Sequence, residues 1–236
     1  KKVNEASDSK KLSFRALGFK IDNLNDNKST INVGNLIVGQ TGVVIHIVDK
    51  NKRLIVANAE VISSNEKQSV VKFTNFNDLK QNAIPTSKRG VQKGDILALN
   101  YMYKSSLLIA PNQEAFKIVR NGFRYNNFLH SDLYAAQLKI DEEALPTQKS
   151  IQDFARKQNL RSIFIVLRDK VYVLDAKNFK VLTNYNIDYN SLDSQLPFYT
   201  RVENIEGGSF DLDFDFSLDS IEKSVQEYLS VFDFLL

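Results

Sequence analysis

The sequence predicts an α+β protein: a small β-barrel or rolled antiparallel sheet packed on an α/β layer with a three-stranded meander, plus a C-terminal amphipathic helix. Three observations carry this. Short β-branched runs separated by polar turns recur from Val38 to Pro111, at strand length rather than helix length. Beyond Pro111 the apolar spacing becomes helical, behind candidate N-caps at Asn112, Ser131 and Thr147. Three more strand-like runs follow, and then a tail that alternates acidic and apolar residues.

Lys1 to Leu12 is polar and basic, and is expected to be a flexible arm. Phe14–Ile21 and Ile31–Ile37 read as strands around the polar turn Asp22–Lys28. Val43–Val48 reads as a strand, Asp49–Arg53 as a turn, and Leu54–Ser63 as the returning strand. Val70–Phe73, Ile96–Leu99 and Leu107–Ala110 complete a meander that protects its edges by curling. Asn77–Ala83 is expected to form one helical turn and Pro85–Gly90 an exposed loop.

In the second half, Phe116 and Val119 are expected to face inward from a helix capped by Asn112. Ser131 is expected to cap a helix carrying Leu133, Tyr134 and Leu138. Thr147 is expected to cap one carrying Ile151, Phe154 and Ala155, ended by Asn159. Ser162–Leu167, Val171–Ala176 and Lys180–Tyr185 form the meander, with turns at Arg168-Asp169-Lys170 and Ala176–Phe179. The expected division is an arm at 1–12, a β-rich domain at 13–104, an α/β domain at 105–208 and a tail at 209–236. No Pro/Gly-rich linker lies near Met102–Ser106, so the two domains are expected to pack together.

In the tail, Phe210, Leu212, Phe214 and Phe216 share one face of a strand, with Asp211, Asp213 and Asp215 on the other. Ser217 then caps a helix with Leu218, Ile221, Val225, Leu229 and Phe232 on one stripe. Both apolar faces are candidate partner-docking elements.

Composition narrows the chemistry. There is no cysteine, so neither a disulfide framework nor a thiol nucleophile is expected. His46 and His130 are the two histidines, lie far apart in apolar settings, and read as partly buried structural residues. No metal and no cofactor are expected. Gly39-Gln40-Thr41-Gly42 lacks the Gly-Lys-Ser/Thr of a phosphate loop, and Asp211/Asp213/Asp215 lacks the Gly and Glu of a calcium loop. No hydrolase or kinase signature occurs, so an enzyme is not expected. No apolar run approaches the ~18 residues of a membrane span.

The net charge of +3 is segregated. Glu203–Leu236 holds nine acidic residues against one lysine, leaving the remainder strongly basic. The basic residues are spread over turns with no recognised motif, so nucleic acid is not an expected partner.

Several segments in order bear a likeness to a known family: Val38-Gly39-Gln40-Thr41-Gly42-Val43-Val44, Ala59-Glu60-Val61-Ile62, Val70-Val71-Lys72-Phe73, Leu79-Lys80-Gln81 and Ile84-Pro85-Thr86. Lys93-Gly94-Asp95, Leu108-Ile109-Ala110-Pro111-Asn112 and Pro197-Phe198-Tyr199-Thr200-Arg201-Val202-Glu203 continue it. Over roughly Val33 to Gly208 the chain resembles the N-terminal domain of the plasminogen-binding proteins of epsilon-class Gram-negative bacteria. The resemblance implies a non-enzymatic, exported protein of the periplasm or outer cell envelope, its signal peptide removed, that binds host plasminogen. A kringle takes a lysine ammonium against paired carboxylates, its stem against aromatic rings, and a carboxylate against a cation. The chain ends Phe234-Leu235-Leu236, so the expected ligand mimics are internal lysines beside acids: Asp49-Lys50, Lys93 with Asp95, and Asp169-Lys170. A second function class stays open: a periplasmic scaffold or accessory of an envelope machine such as the flagellar motor, docking through the tail.

Overall fold

The computed structural model of the chain describes residues 3–5, 12–50, 52–76, 78, 89–203 and 226–235. It divides into two compact units, Lys10–Tyr103 and Lys104–Leu236, the latter joined by Lys1–Ser9. Among the described residues each carries one six-stranded sheet. Strand β1 (Val3–Glu5) belongs to the larger unit, although its residues fall in the segment expected as an arm. It pairs antiparallel with the far strand Val181–Ile187, from Val3 opposite Ile187 to Glu5 opposite Tyr185. A three-residue edge strand is held by its ladder rather than by an apolar run, so the sequence carries little sign of it.

The smaller unit holds β2 (Leu17–Lys20), β3 (Lys28–Ile31), β4 (Thr41–Ile47), β5 (Arg53–Ser64), β6 (Ser69–Asn75) and β7 (Ile96–Leu99). Their spatial order is β2-β7-β4-β5-β6-β3, antiparallel throughout. Register shifts at Val44/Ile45 and Val61/Ser63 bend the long central strands, and the sheet curls into a half-barrel. Its concave side is filled by Ile21, Ile31, Val44, Val56, Val61, Val71, Phe73, Leu97 and Leu99.

Gly42 sits where β4 and β7 approach closely; a Cβ there would stand 2.7 Å from Leu99 Cα. The expected strand Ile31–Ile37 stops at Ile31. Gly34 lies flat against the Glu66 backbone and Asn35 takes φ 58°, so Leu36 and Ile37 reach the core from a loop instead. Four polar groups seal that loop. The Gln40 side chain accepts from Ile37 N–H and donates to Asn100 Oδ1 at 2.8 Å, while Thr41 N–H donates to the Tyr103 hydroxyl at 2.7 Å.

The larger unit holds β8 (Ser105–Ile109), α1 (Gln113–Gly122), β9 (Asn127–Leu129), α2 (Ser131–Ile140), α3 (Gln148–Lys157), β10 (Ser162–Leu167), β11 (Lys170–Asp175) and β12 (Val181–Ile187). The order is β1-β12-β11-β10-β8-β9. The β10–β11–β12 meander is antiparallel, but β8 runs parallel to both β10 and β9. Leu107–Ala110 therefore does not complete the meander of the β-rich block; as β8 it joins this mixed sheet, within the expected 105–208 domain. Parallel neighbours need crossover connections, and the α1 and α2–α3 segments supply them. All six residues of β10 are buried, as befits a central strand covered on both faces.

Asn112 caps α1 as expected, accepting from Ala115 N–H at 2.9 Å. Thr147 and Ser150 form a reciprocal capping box on α3. Asn159 takes φ 54° and ends the helix. The cap of α2 is His130 rather than Ser131; the Ser131 hydroxyl instead donates to Tyr199 O at 2.6 Å. Leu133 points to solvent, while Tyr134 and Leu138 pack inward.

One face of the sheet packs Ile109, Tyr134, Ile151, Phe154, Ile163 and Ile165 with Phe198, Tyr228 and Phe232. On the other, Phe164 meets Phe123 at 5.0 Å and Phe128 at 4.9 Å edge to face, and Phe123 meets Tyr185 in the same way at 5.0 Å. Among the described residues no helix is long and apolar enough to cross a membrane.

Candidate partner-binding surface

The three lysine–acid neighbours expected as ligand mimics fall in three different environments. Lys93 is exposed, but Asp95 is 3 % exposed and faces inward. The Asp95 carboxylate accepts from Arg89 Nη1 at 2.8 Å and Nη2 at 3.2 Å and from Gln92 N–H at 2.8 Å, and meets His46 Nδ1 at 2.8 Å. Burial alone would raise its pKa. The bonds from Arg89, Gln92 and His46, with the Arg89 charge, hold it below the ordinary carboxyl value. Lys93 and Asp95 therefore do not present a surface charge pair.

Asp49-Lys50 lies at the tip of the β4–β5 hairpin, where both residues are exposed. Asp49 Oδ1 accepts from Lys52 N–H at 2.9 Å and Val48 N–H donates to Lys52 O at 3.0 Å, closing the turn. The Asp49 carboxylate is thus engaged within the tip, and Lys50 projects from it with no ion pair among the described residues.

Asp169-Lys170 closes the β10–β11 hairpin, with Leu167 paired to Lys170 and Arg168 at φ 52°. The Asp169 carbonyl accepts from Ile187 N–H at 2.8 Å, which fixes the turn to β12. Asp169 is exposed and Lys170 half-buried. No hydrogen bond or ion pair holds the Asp169 carboxylate among the described residues. A groove of about 330 Å³ opens beside the turn, lined by Arg168, Asp169, Asp188, Tyr189 and Tyr228 among others. Burial, with the Asp169 charge nearby, pushes the Tyr189 phenol up to about 12. Of the three sites, this turn sets a lysine next in the chain to an exposed carboxylate that itself lines a groove with Tyr189 and Tyr228.

The tail candidates divide. Phe210, Leu212, Phe214, Phe216, Leu218, Ile221 and Val225 lie outside the described residues. Leu229 and Phe232 lie at the end of the chain's last helix, residues 226–231 and the turn after it, and both are buried in the core of the larger unit. Beside them, the Tyr228 hydroxyl donates to Val166 O at 2.7 Å. A helix stripe looks alike whether it serves its own core or a partner; here its last turns serve the chain's own core.

One cluster has no sign in the local sequence pattern. Asp132, in the first turn of α2, accepts from Arg201 Nε at 2.7 Å and Arg201 N–H at 2.8 Å, and from the Thr200 hydroxyl at 3.0 Å. Those bonds, opposing burial, lower its pKa. The His130 ring lies 4.7 Å from that of Phe116, tilted by 40°, and its Nδ1 accepts from Asp132 N–H at 3.2 Å. Burial lowers its pKa against the pull of Asp132, helped by Arg201 and Arg120. A neutral, capping histidine follows. The separation of some 70 residues between partners hid this cluster. Among the described residues no group of three potential ligands is placed to hold a metal ion.

A family model described as "Plasminogen-binding protein pgbA N-terminal" matches residues 16–236. The chain is 28 % identical over 177 residues to a protein named plasminogen-binding protein PgbA from Helicobacter pylori strain J99, and equally to its counterpart from strain 26695. The alignment covers 74 % of this chain and 38 % of each relative, so the chain spans well under half the length of the relatives it matches. No solved structure matches it.

Proposed function

The chain belongs to the plasminogen-binding protein pgbA N-terminal family, and on that premise we propose that it is a non-enzymatic, exported envelope protein that binds plasminogen by protein–protein contact. The observation that carries this reading is the family match over residues 16–236. The names of both relatives point the same way, since each denotes a binding protein. A protein that meets plasminogen from the host must lie beyond the cytoplasm, which is the reason for placing it in the periplasm or outer envelope.

The contact we propose is the β10–β11 turn. A kringle site recognises an ammonium and a carboxylate at once, against aromatic rings. Lys170 supplies the ammonium and Asp169 the carboxylate, and the turn backbone is already fixed by pairing to β12, so little ordering is required on binding. Lys50 offers an ammonium alone, because Asp49 is engaged by the Lys52 amide.

Immobilised plasminogen tests the reading. The full chain should bind it, a lysine analogue such as 6-aminohexanoate should abolish binding, and Lys170→Ala should weaken it about tenfold, as expected for one central charged contact. Binding that ignores the analogue, or no binding at all, overturns the proposal.

A further inference from the structure

We propose that His130 is a proton-operated latch on residues 198–203: neutral, it holds that strap against α2, and protonated, it lets the strap open. The strap lies along α2. Phe198 is fully buried and stacks on Tyr134 at 5.5 Å, the rings 10° from parallel. Tyr199 N–H donates to Ala110 O at 2.8 Å, and Tyr199 O accepts from the Ser131 hydroxyl at 2.6 Å. Three further bonds converge on Asp132, whose Oδ1 accepts from the Thr200 hydroxyl and Arg201 N–H and whose Oδ2 accepts from Arg201 Nε. At the far end of α2, Lys139 Nζ donates to Glu203 O at 3.3 Å.

His130 sits beside the carboxylate that carries these bonds. Its Nδ1 caps α2 by accepting from Asp132 N–H at 3.2 Å, and the same nitrogen lies 3.2 Å from Asp132 Oδ1. An accepting ring nitrogen bears no proton, so the ring of the closed state is neutral with its proton on Nε2. Protonation turns Nδ1 into a donor. The cap is then lost, and Nδ1–H competes with Thr200 and Arg201 for Oδ1. The titratable and charged groups facing the ring are Asp132 from α2, Arg120 from α1, and Arg201 with the Tyr199 phenol from the strap; β9 carries none. Burial, with the Arg201 and Arg120 charges, outweighs the attraction to Asp132 and holds the pKa of the closed ring below the ordinary 6.5. Opening carries Arg201 away and admits water, so a proton binds the open state more tightly and thereby favours it. The side chain is 27 % exposed, so a proton reaches it without prior unfolding.

Amide hydrogen exchange of the full chain tests the latch at about pH 7.5 and about pH 5, either side of the ordinary histidine value and both above that of aspartate. Each rate is divided by the intrinsic rate at its pH. The Tyr199 and Arg201 amides should open about fivefold more often at the lower pH, the equivalent of one lost N-cap. That opening should be insensitive to low urea, because it exposes little surface, whereas exchange in the buried strand β10 should rise with urea. His130→Asn keeps a cap acceptor and does not titrate, so its strap should open equally at both pH values. Asp132→Asn should open the strap more often at both. Lys170→Ala should change none of this, which separates the latch from the plasminogen reading. Four results would each overturn the proposal: strap opening in the parent that ignores pH, an equal pH response in His130→Asn, strap exchange that follows β10 in urea, or unchanged strap exchange in Asp132→Asn.

Discussion

Arg89 Nη1 lies 2.8 Å from Asp95 Oδ2, and this pair closes the smaller unit beside β7. The carboxylate is almost wholly buried while the guanidinium is about one-fifth exposed, so the two partners respond differently to loss of the other. Asp95→Ala is expected to destabilise the protein by about 2–4 kcal/mol, because it leaves Arg89, His46 and the Gln92 amide with an unfilled buried acceptor site. Arg89→Ala should cost a similar amount, since it leaves a buried carboxylate with only the Gln92 amide and His46 as partners. Urea melts of the two variants check both values.

Acid should lower the protein's stability in two steps. His130 has a lowered folded pKa, so its contribution is complete above the ordinary value of 6.5 and is lost as pH falls through the folded value. Asp95 and Asp132 also have lowered folded values. Their contributions are complete above 3.8 and are lost as pH falls below it through those values. Stability measured by melts from neutral pH downward should therefore decline first below about 6.5 and again below about 3.8. His130→Asn, which keeps an N-cap acceptor, should remove the first decline alone.

Two glycines in the same sheet should respond oppositely to alanine. At Gly42 the new Cβ meets the backbone of Ala98 and Leu99, and neither β4 nor β7 can yield without breaking its ladder. The expected cost is about 3 kcal/mol or more, read as loss of soluble protein or a sharply lowered melting temperature. At Gly18 nothing lies within 4 Å, so Gly18→Ala should stay within about 1 kcal/mol of the parent.

Local physics made much of this fold legible. Asn112 and Thr147 announced their helices because a capping side chain and the amides it serves are three residues apart. Ser162–Leu167 announced β10 because a central strand is apolar throughout. What stayed hidden was non-local. The pairing of β8 with β10 joins residues more than 50 apart, and its parallel sense leaves no mark in either strand. Ile31–Ile37 misled because apolar residues in a loop and in a strand look the same until Gly34 and Asn35 are seen to turn the chain. At the candidate site, the spacing of Lys93 and Asp95 matched that of a surface pair; only the fold turns Asp95 inward to Arg89 and His46.

The end of the chain should behave as part of the larger unit's core. Phe232→Ala removes a fully buried ring packed against Tyr228 at 5.2 Å, and should cost about 3–5 kcal/mol. Tyr228→Phe removes the bond to Val166 O alone and should cost about 1 kcal/mol. Both should speed proteolysis in the last helix, Phe232→Ala more strongly, as seen by limited digestion and mass spectrometry.

The burial of Asp95 sets the last expectation. Lys93 and Lys170 are each one or two residues from an aspartate, yet only Lys170 has that carboxylate exposed beside it. If the ligand is the ammonium–carboxylate combination, Lys93→Ala should leave lysine-sensitive plasminogen binding within about twofold of the parent, since an isolated exposed lysine contributes little. Asp169→Asn should weaken binding together with Lys170→Ala, and the double variant should lose less than the two single losses combined, because both changes disrupt one recognition event. A double-mutant cycle on immobilised plasminogen measures this directly. Full additivity would mean that Asp169 and Lys170 act as separate charges and do not form a single ligand.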